Sequence, residues 1–186
     1  MTTVYAIGSQ NYLLLQSLLK FYSNQDYLNT MLKIINGDSE ISLRIVDWFA
    51  TNYSKQYQTN YPTPIGRFKV YQDYKLKLRA YSKRRFDPFC RWERIQIPYS
   101  EESCIQTTLG QLNFFRWAIE NKVIDYISKN YADIELDMNS RNSSSKRRQT
   151  GTNLTGPKTR KKREELSKMA ARAITRERVP TTITFT

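Results

Sequence analysis

Arginine, lysine and aromatic side chains alternate between residues 67 and 94, where ten basic residues stand against three acidic ones. Basic side chains at this density neutralise phosphates and release counterions, which gives affinity for nucleic acid without reading its sequence. Aromatic rings add stacking on exposed bases. The most concentrated basic residues are the candidates for phosphate contact, namely Lys83, Arg84, Arg85, Arg91 and Arg94. The candidate stacking rings are Tyr74, Tyr81, Phe86 and Trp92.

A structural interpretation of the same stretch stays open. Most of its rings recur at helical spacing, so we expect them to pack mainly in a core. Residues 95–140 carry seven acidic and three basic side chains. This acidic block would pair with some of the arginines and shield them, so phosphate contact and internal ion pairing are both consistent with the sequence.

A second basic region lies near the C-terminus, where residues 141–178 carry thirteen basic and three acidic side chains. A flexible cationic arm can follow a phosphate backbone without a preset shape. Its clusters KRR (146–148) and PKTRKKR (157–163) together resemble a bipartite nuclear import signal, and protein docking is a further alternative. The candidate nucleic-acid contacts in this region are Lys146, Arg147, Arg148, Lys158, Arg160, Lys161, Lys162 and Arg163.

Several kinds of catalytic and metal site are excluded by composition. The chain has no histidine and only two cysteines, so the usual four-ligand zinc sites and His-dependent nucleophilic catalysis cannot be built. Its six glycines form no phosphate-binding loop. Asp133, Glu135 and Asp137 would fall on different faces of a helix, which favours solvated surface over a Mg²⁺ site. We therefore predict a protein that is not an enzyme and needs no metal or cofactor.

Charge and hydropathy indicate the class of partner. The net charge is +13 in 186 residues, a field that attracts nucleic acid, anionic membrane surfaces or acidic proteins. No apolar run is long enough to span a membrane, so membrane insertion is not expected. Cys90 and Cys104 are expected to be free thiols in a reducing compartment, and Asp47 in an apolar helix is expected to pair with a basic residue. Oligomeric state cannot be read from the sequence.

The first 66 residues predict a helical unit. Ser9 is a candidate N-cap for a first helix, Asp26 for a second, and Gly37 stands where a helix C-terminal glycine is favoured. A third helix is predicted from Ile41. Two prolines and a glycine make residues 59–66 a predicted loop and a candidate hinge.

The next 72 residues predict further helices. Phe68, Tyr71, Tyr74, Leu78 and Tyr81 form an apolar helical stripe. Asp87-Pro88 predicts a helix restart with aspartate as cap, and 95–99 reads as a brief strand or an extended link. Thr108 and Gln111 fit a capping box, followed by one long helix or two joined near Asn121.

The sequence thus predicts a mainly α protein with a compact helical domain at 1–138 and a basic, partly disordered tail at 139–186. A weak amphipathic helix is predicted near 162–176. The last eight residues are β-prone and would add a strand to a neighbouring sheet.

Three stretches together resemble a protein family: SLRIVDWFATNYSK (42–55), YKLKLRAYSKRRFDPFCRWERI (74–95) and LGQLNFFRWAIENKVIDYI (109–127). They are similar to a small basic protein family of nucleocytoplasmic large DNA viruses, the giant viruses. The resemblance covers mainly 40–138 and implies no catalytic residues. It implies a viral source and a role in the virion or late in infection, with the host cytoplasm or nucleus as the location during infection.

The leading hypothesis is a non-enzymatic viral protein that binds nucleic acid, in particular DNA without sequence preference, for genome packaging or condensation. The alternative is a structural virion component, such as a minor capsid or scaffold protein, whose arm orders on other virion proteins. A transcription or processing accessory factor is a third reading.

Overall fold

The computed structural model describes residues 9–64, 66–100 and 103–150 of the chain. These residues are mostly helical. The helices are α1 Gln10–Tyr22, α2 Gln25–Asn36, α3 Leu43–Trp48, α4 Ser54–Gln56, α5 Val70–Arg85, α6 Leu109–Glu120, α7 Val123–Lys129 and α8 Tyr131–Thr150, with a π-helical segment at Phe49–Tyr53 that joins α3 to α4. Two antiparallel hairpins accompany them, β1 Asn60–Thr63 with β2 Gly66–Lys69 and β3 Arg94–Ser100 with β4 Ser103–Thr108.

Side-chain caps fix the ends of the first helices. The hydroxyl oxygen of Ser9 accepts from the amide of Tyr12 at 3.2 Å, which confirms the predicted N-cap of α1. The predicted cap at Asp26 is wrong, because Asn24 caps α2 and accepts from the amides of Asp26 and Tyr27. Gly37 ends α2 in the left-handed region with φ of 80°, as predicted.

Residues 59–66, predicted as a loop, instead form most of the first hairpin. Asn60 opposes Lys69 and Thr63 opposes Gly66 in the β1–β2 ladder. A two-stranded hairpin leaves each strand with a free edge, so Pro62 can stand in β1 without removing a hydrogen bond that a neighbouring strand would need. The ring of Tyr61 stacks on Tyr126 at 5.1 Å, which ties the hairpin to α7.

The centre of the fold is α6, which packs against α1, α2, α5 and α7. Residues 109–118 of α6 are buried except for Arg116, so this helix has no broad polar face. The hydroxyl of Tyr22 donates to the carbonyl of Leu112 at 2.7 Å and joins α1 to α6 inside the core. The largest fully buried side chains include Leu18, Met31, Ile45, Phe49, Phe86, Leu112, Phe114, Phe115, Ile127 and Ile134.

The long segment after residue 108 that is predicted to be helical is interrupted twice in the structure. The break near Asn121 is one of the two alternatives that the sequence left open, and Lys122 lies there in the left-handed region with φ of 59°. A second break at Asn130 separates α7 from α8 and was not predicted. Helix α8 runs to Thr150, past residue 139 where the sequence predicts the tail to begin.

The mainly α prediction is confirmed, but a purely helical domain is not, since both hairpins belong to the fold. The brief strand predicted at 95–99 is confirmed within β3. The helix predicted near 162–176 and the β-prone C-terminus lie outside the described residues.

Candidate nucleic-acid interface

The basic cluster begins at the C-terminal end of α5. Ser82 has φ of 59° and ψ of 170°, which is not helical, so the chain kinks there and the last turn changes direction. This turn carries Lys83, Arg84 and Arg85. Phe86 follows and is 2% exposed, with its ring against Tyr74, Phe114 and Trp117. The buried Phe86 anchors a basic turn that lies at the surface.

Residues 86–93 form no helix, so the predicted restart at Asp87-Pro88 is wrong. The Asp87 side chain accepts from the amide of Phe89 at 3.0 Å, which makes an Asx-type turn rather than a helix cap. It also accepts two hydrogen bonds from the Arg91 guanidinium, at 2.9 and 2.8 Å. The carboxylate is 3% exposed and raises the pKa of Arg91. A bidentate pair therefore closes the loop.

The N-terminal part of α6 forms hydrogen bonds with the backbone of this loop. The amide of Asp87 donates to the carbonyl of Gly110 at 3.2 Å. The Gln111 side chain donates to the carbonyl of Pro88 at 2.9 Å, and that of Asn113 to the carbonyl of Arg85 at 2.8 Å. These three α6 residues position the basic loop.

Sequence reasoning missed these positioning residues. Thr108 does accept from the amide of Gln111 at 3.1 Å, as a capping box requires. The Gln111 side chain, however, accepts from Thr107 and donates to Pro88 rather than returning to the cap. The available signal was a pair of polar amides, Gln111 and Asn113, in a run that is otherwise apolar and buried.

The backbone approach also explains Gly110. A Cβ added there would lie 2.9 Å from the carbonyl oxygen of Arg84 and 3.3 Å from the amide nitrogen of Phe86. Both atoms belong to the backbone, so they cannot move aside as a flexible side chain would. Glycine at this position lets α6 touch the basic turn directly.

The five predicted basic residues of the loop differ in their surroundings. Lys83 and Arg84 are exposed, and the Arg84 guanidinium lies over the Trp92 ring at 5.6 Å. Arg85 donates to the side chain of Gln10 at 3.0 Å. Arg91 is held by Asp87, and Arg94 donates to the side chain of Gln106 at 3.2 Å.

The candidate stacking rings separate into two groups. Tyr74 and Tyr81 are partly buried against the core and Phe86 lies inside it, so all three rings are less accessible than Trp92. Burial raises the pKa of Tyr74 to about 12. Trp92 is 41% exposed. Of the four candidates, Trp92 is therefore the ring placed to stack on a ligand.

A small cleft lies where this loop meets α1 and α6. Its volume is about 170 Å³. It combines two guanidiniums, one ring, two side chains with acceptor oxygens and one apolar wall, contributed by Arg84, Arg85, Trp92, Asn11, Glu93 and Leu109.

Asp47 forms no ion pair with any residue that the structure describes, contrary to the prediction. Arg91, one of the cations whose charge acts on Asp47, bonds to Asp87. Burial raises the pKa of Asp47 to about 6. Arg91 and Lys83 oppose this rise through their charge, and Asp87 adds to it. Burial therefore disfavours the ionised form of the Asp47 carboxylate.

The acidic block does not behave as uniformly solvated surface. Asp137 is buried and accepts from the Trp48 indole at 2.8 Å, from the Tyr57 hydroxyl at 3.3 Å and from the Arg141 guanidinium at 3.0 Å. Asp133 is exposed, in line with prediction. Within the described residues, no cluster of three acidic or cysteine side chains could hold a metal ion, and both cysteines are free thiols.

The remaining predicted contacts belong to the second basic region. Lys146, Arg147 and Arg148 fall on the backbone of α8. Lys158, Arg160, Lys161, Lys162 and Arg163 lie outside the described residues. The structure thus brings together the predicted residues of 83–94 and does not test the others.

Comparison with known proteins identifies relatives but no activity. Residues 7–179 match a family of unknown function, DUF7197. Over 129 residues the chain is 45% identical to an uncharacterized protein of Acanthamoeba polyphaga mimivirus. The match covers 64% of this chain and 50% of that protein, so the chain spans about half the length of this relative. No solved structure matches.

Among the helices of the described residues, none is long and apolar enough to cross a membrane. The family match extends over nearly the whole chain, and a relative at 45% identity comes from a giant virus. The chain therefore belongs to DUF7197, a protein family of unknown function that has members in giant viruses.

Proposed function

We propose that this chain is a non-enzymatic viral protein that binds nucleic acid without strong sequence preference. The observation that carries the proposal is the pairing of an exposed ring with an exposed cation: Trp92 is 41% exposed, and the guanidinium of the exposed Arg84 lies over it at 5.6 Å. Lys83, which precedes Arg84 in the chain, is also exposed. Stacking rings beside cationic side chains are typical of surfaces that bind single strands. Packaging or condensing the viral genome in the virion is the role that this chemistry fits.

The position of the loop supports the proposal. The Phe86 anchor, the Asp87–Arg91 pair and three hydrogen bonds from α6 hold the backbone, so little ordering entropy is lost when phosphates bind. The net charge of +13 would speed encounter with a polyanion. Because the backbone is held, the basic side chains on it should bind phosphates more tightly than the same charges on a mobile chain would.

The test is the salt dependence of binding to fluorescent oligonucleotides, measured by anisotropy. With about five phosphate contacts, the affinity for single strands should fall on the order of 100-fold between about 50 and about 200 mM salt. Replacing Lys83 and Arg84 by glutamine should weaken binding and reduce the salt slope by roughly one to two. Affinity that does not change with salt would exclude the proposal.

A charge-matched control distinguishes binding at the basic loop from attraction by the overall positive charge of the protein. Lys20 and Lys33 are exposed basic residues on α1 and α2, outside the cleft. Replacing both by glutamine removes the same charge and should weaken binding less than the loop variant does. Equal losses in both variants would assign binding to net charge alone. Unchanged affinity after combining the loop variant with neutral residues at 146–148 and 158–163 would exclude the predicted contacts at all of these positions.

A structural role in the virion is the second candidate, favoured by exposed leucines on three helices. Leu13 on α1, Leu76 on α5 and Leu136 on α8 are 60%, 61% and 70% exposed. A protein partner could cover such side chains, although single exposed leucines are common. Cross-linking in purified virions tests this candidate through Lys75 and Lys77 beside Leu76. Cross-links to other virion proteins that survive nuclease treatment would favour the structural role over nucleic-acid binding.

A further inference from the structure

Helix α5 has an exposed outer face that lies outside the basic loop. Exposed residues recur along the helix every three or four positions, which places them on one side of it. They are Gln72, Lys75, Leu76, Arg79 and Ala80. The other side of the helix packs against the core through Tyr74, Leu78 and Tyr81. The core contacts therefore hold α5 with this outer face turned away from the protein.

The charge of the outer face is positive and unpaired. Residues 70–81 carry three basic side chains and one acidic side chain. The acidic residue, Asp73, is half-buried and accepts from the Trp117 indole at 2.6 Å, so it lies on the core side of the helix. Lys75 and Arg79 form no ion pair or side-chain hydrogen bond with any residue that the structure describes. Both cations are left available to an anionic ligand.

The cations of this face follow one another along the helix axis. Because an α-helix rises 1.5 Å per residue, about 6 Å of rise separates Lys75 from Arg79. Lys83 is also exposed and follows four residues later, beyond the kink at Ser82. The outer face and the basic loop are therefore successive parts of the same stretch of chain.

The outer face carries charge but no exposed aromatic ring. All three tyrosines of α5, at positions 71, 74 and 81, are half-buried. A surface without an exposed ring has nothing on which an unstacked base could stack, but its cations can still contact phosphates. In a duplex the bases are already stacked on one another and the phosphates lie on the outside. Cations alone are therefore sufficient to bind a duplex.

The single large apolar side chain of the face does not favour a protein partner. Leu76 is 61% exposed and has Lys75 beside it in the chain. The buried centre of a protein–protein interface is depleted of charged residues and enriched in aromatic ones. A face on which cations accompany one leucine and no exposed ring suits a polyanion better.

We propose that the outer face of α5 binds the phosphate backbone of double-stranded nucleic acid. This inference rests on the proposed function and adds to it a second contact surface with a different form of ligand. The basic loop offers Trp92 to single strands, whereas the outer face of α5 holds duplexes by charge alone.

The experiment measures anisotropy of the full chain with a blunt duplex and with a single strand, each of mixed sequence and about 12 nucleotides per strand. Replacing Lys75 and Arg79 together by glutamine should weaken duplex binding on the order of tenfold at about 100 mM salt. It should also reduce the slope of log affinity against log salt by roughly two. The loss for the single strand should be smaller, because the basic loop supplies its contacts. Glutamine has a helix propensity close to that of lysine and arginine, so α5 should stay folded, which far-UV circular dichroism checks.

Two further variants show whether position or net charge is responsible. The exchange Lys75→Arg with Arg79→Lys keeps both charges and should keep the affinity for the duplex. Lys20→Gln with Lys33→Gln removes the same charge from α1 and α2, and it should weaken duplex binding less than the α5 variant does.

The outcomes distinguish this inference from the proposed function. Duplex affinity that is unchanged in the α5 variant, or that falls equally in the α1–α2 variant, would overturn the α5 contact. A greater loss for the single strand than for the duplex would overturn the assignment to duplexes. In each of these cases salt-sensitive binding through the basic loop would still stand. No binding to either oligonucleotide would overturn both proposals.

Discussion

Trp117 and Trp92 show how one chemical type serves two purposes in this chain. Trp117 is 3% exposed and donates its indole N–H to Asp73 at 2.6 Å. Its ring packs among Phe68, Tyr74, Phe86 and Phe114. Trp92 is 41% exposed, and its described ring contact is the Arg84 guanidinium.

The difference between these two regions follows from what surrounds each indole. At Trp117 the core covers the ring and a carboxylate satisfies its polar atom, so the side chain stabilises the fold. At Trp92 the loop closed by Asp87 and Arg91 holds a ring that is 41% exposed, and this exposed part can meet a partner. An aromatic residue in a basic stretch is therefore informative about function only when its burial is known.

The largest effect should come from removing the buried ring. Trp117→Ala deletes a core side chain that four other rings contact, so the free energy of unfolding should fall by about 3 to 5 kcal/mol. Trp92→Ala should lower it by about 1 kcal/mol or less, because a partly exposed side chain loses little burial. Urea unfolding followed by far-UV circular dichroism measures both values.

Trp117→Phe refines this comparison when alanine prevents folding. Phenylalanine keeps most of the ring but leaves the Asp73 carboxylate without the indole donor, which should destabilise by about 1 to 3 kcal/mol. If Trp92→Ala and Trp117→Ala lowered the free energy of unfolding equally, the distinction between a buried ring that stabilises the fold and an exposed ring that meets a partner would be wrong.

The second prediction concerns Asp47, which lies near the charged groups of the basic loop at Lys83, Asp87 and Arg91. Its pKa in the folded state is about 6 against 3.8 for the ordinary group, with burial as the main cause. An acid with a raised folded pKa binds its proton more tightly in the folded state. The stability it contributes is present below the unfolded value and is lost as pH rises through about 6. The difference between these two pKa values corresponds to about 3 kcal/mol of folding free energy.

Asp47→Asn should therefore flatten the pH profile of stability. The variant should be up to about 3 kcal/mol more stable than the natural chain above pH 7, and the difference should shrink toward pH 4. The groups that act on Asp47 are Lys83, Asp87, Arg91 and Tyr74. Urea midpoints at several pH values give the measurement, and a parallel slope in both proteins would contradict the prediction. Asp87→Asn is the contrasting variant, because Asp87 is satisfied by Arg91 and its loss should destabilise.

Much of the helical framework could be predicted because its signals are local. Ser9 as a cap, Gly37 as a terminator and the stripe of Tyr74, Leu78 and Tyr81 each depend on a few neighbouring residues. A break near Asn121 was one of the two alternatives that the same kind of local signal left open. Position within a helix is a property that short-range periodicity encodes well.

The site depended on contacts that short-range patterns do not encode. Asp87-Pro88 suits a helix start, yet here Arg91 captures the carboxylate and an Asx turn forms. The cleft is assembled from three separated stretches, 11, 84–93 and 109. Because α6 clamps the loop through buried amides, the basic residues could be predicted from composition, but their arrangement could not.

The smallest predicted effect tests that clamp. Gly110→Ala raises helix propensity by about 1 kcal/mol, which favours folding. It also places a Cβ 2.9 Å from the carbonyl oxygen of Arg84, and overpacking against backbone destabilises by about 1 to 3 kcal/mol. The backbone cannot rotate away, so the net loss should be about 1 kcal/mol by urea unfolding. Asn29→Ala, at an exposed position of α2, is the control and should not destabilise.

The same substitution separates the two indoles once more. If α6 holds the presented loop, Gly110→Ala should shift the loop and raise the quenching of Trp92 by iodide, while Trp117 stays protected in the core. Variants with a single tryptophan, in which phenylalanine replaces the other two, resolve the fluorescence of Trp92 from that of Trp117. A loss of stability with unchanged quenching at Trp92 would mean that the strain is absorbed within α6, and that the Asp87–Arg91 pair alone fixes the loop.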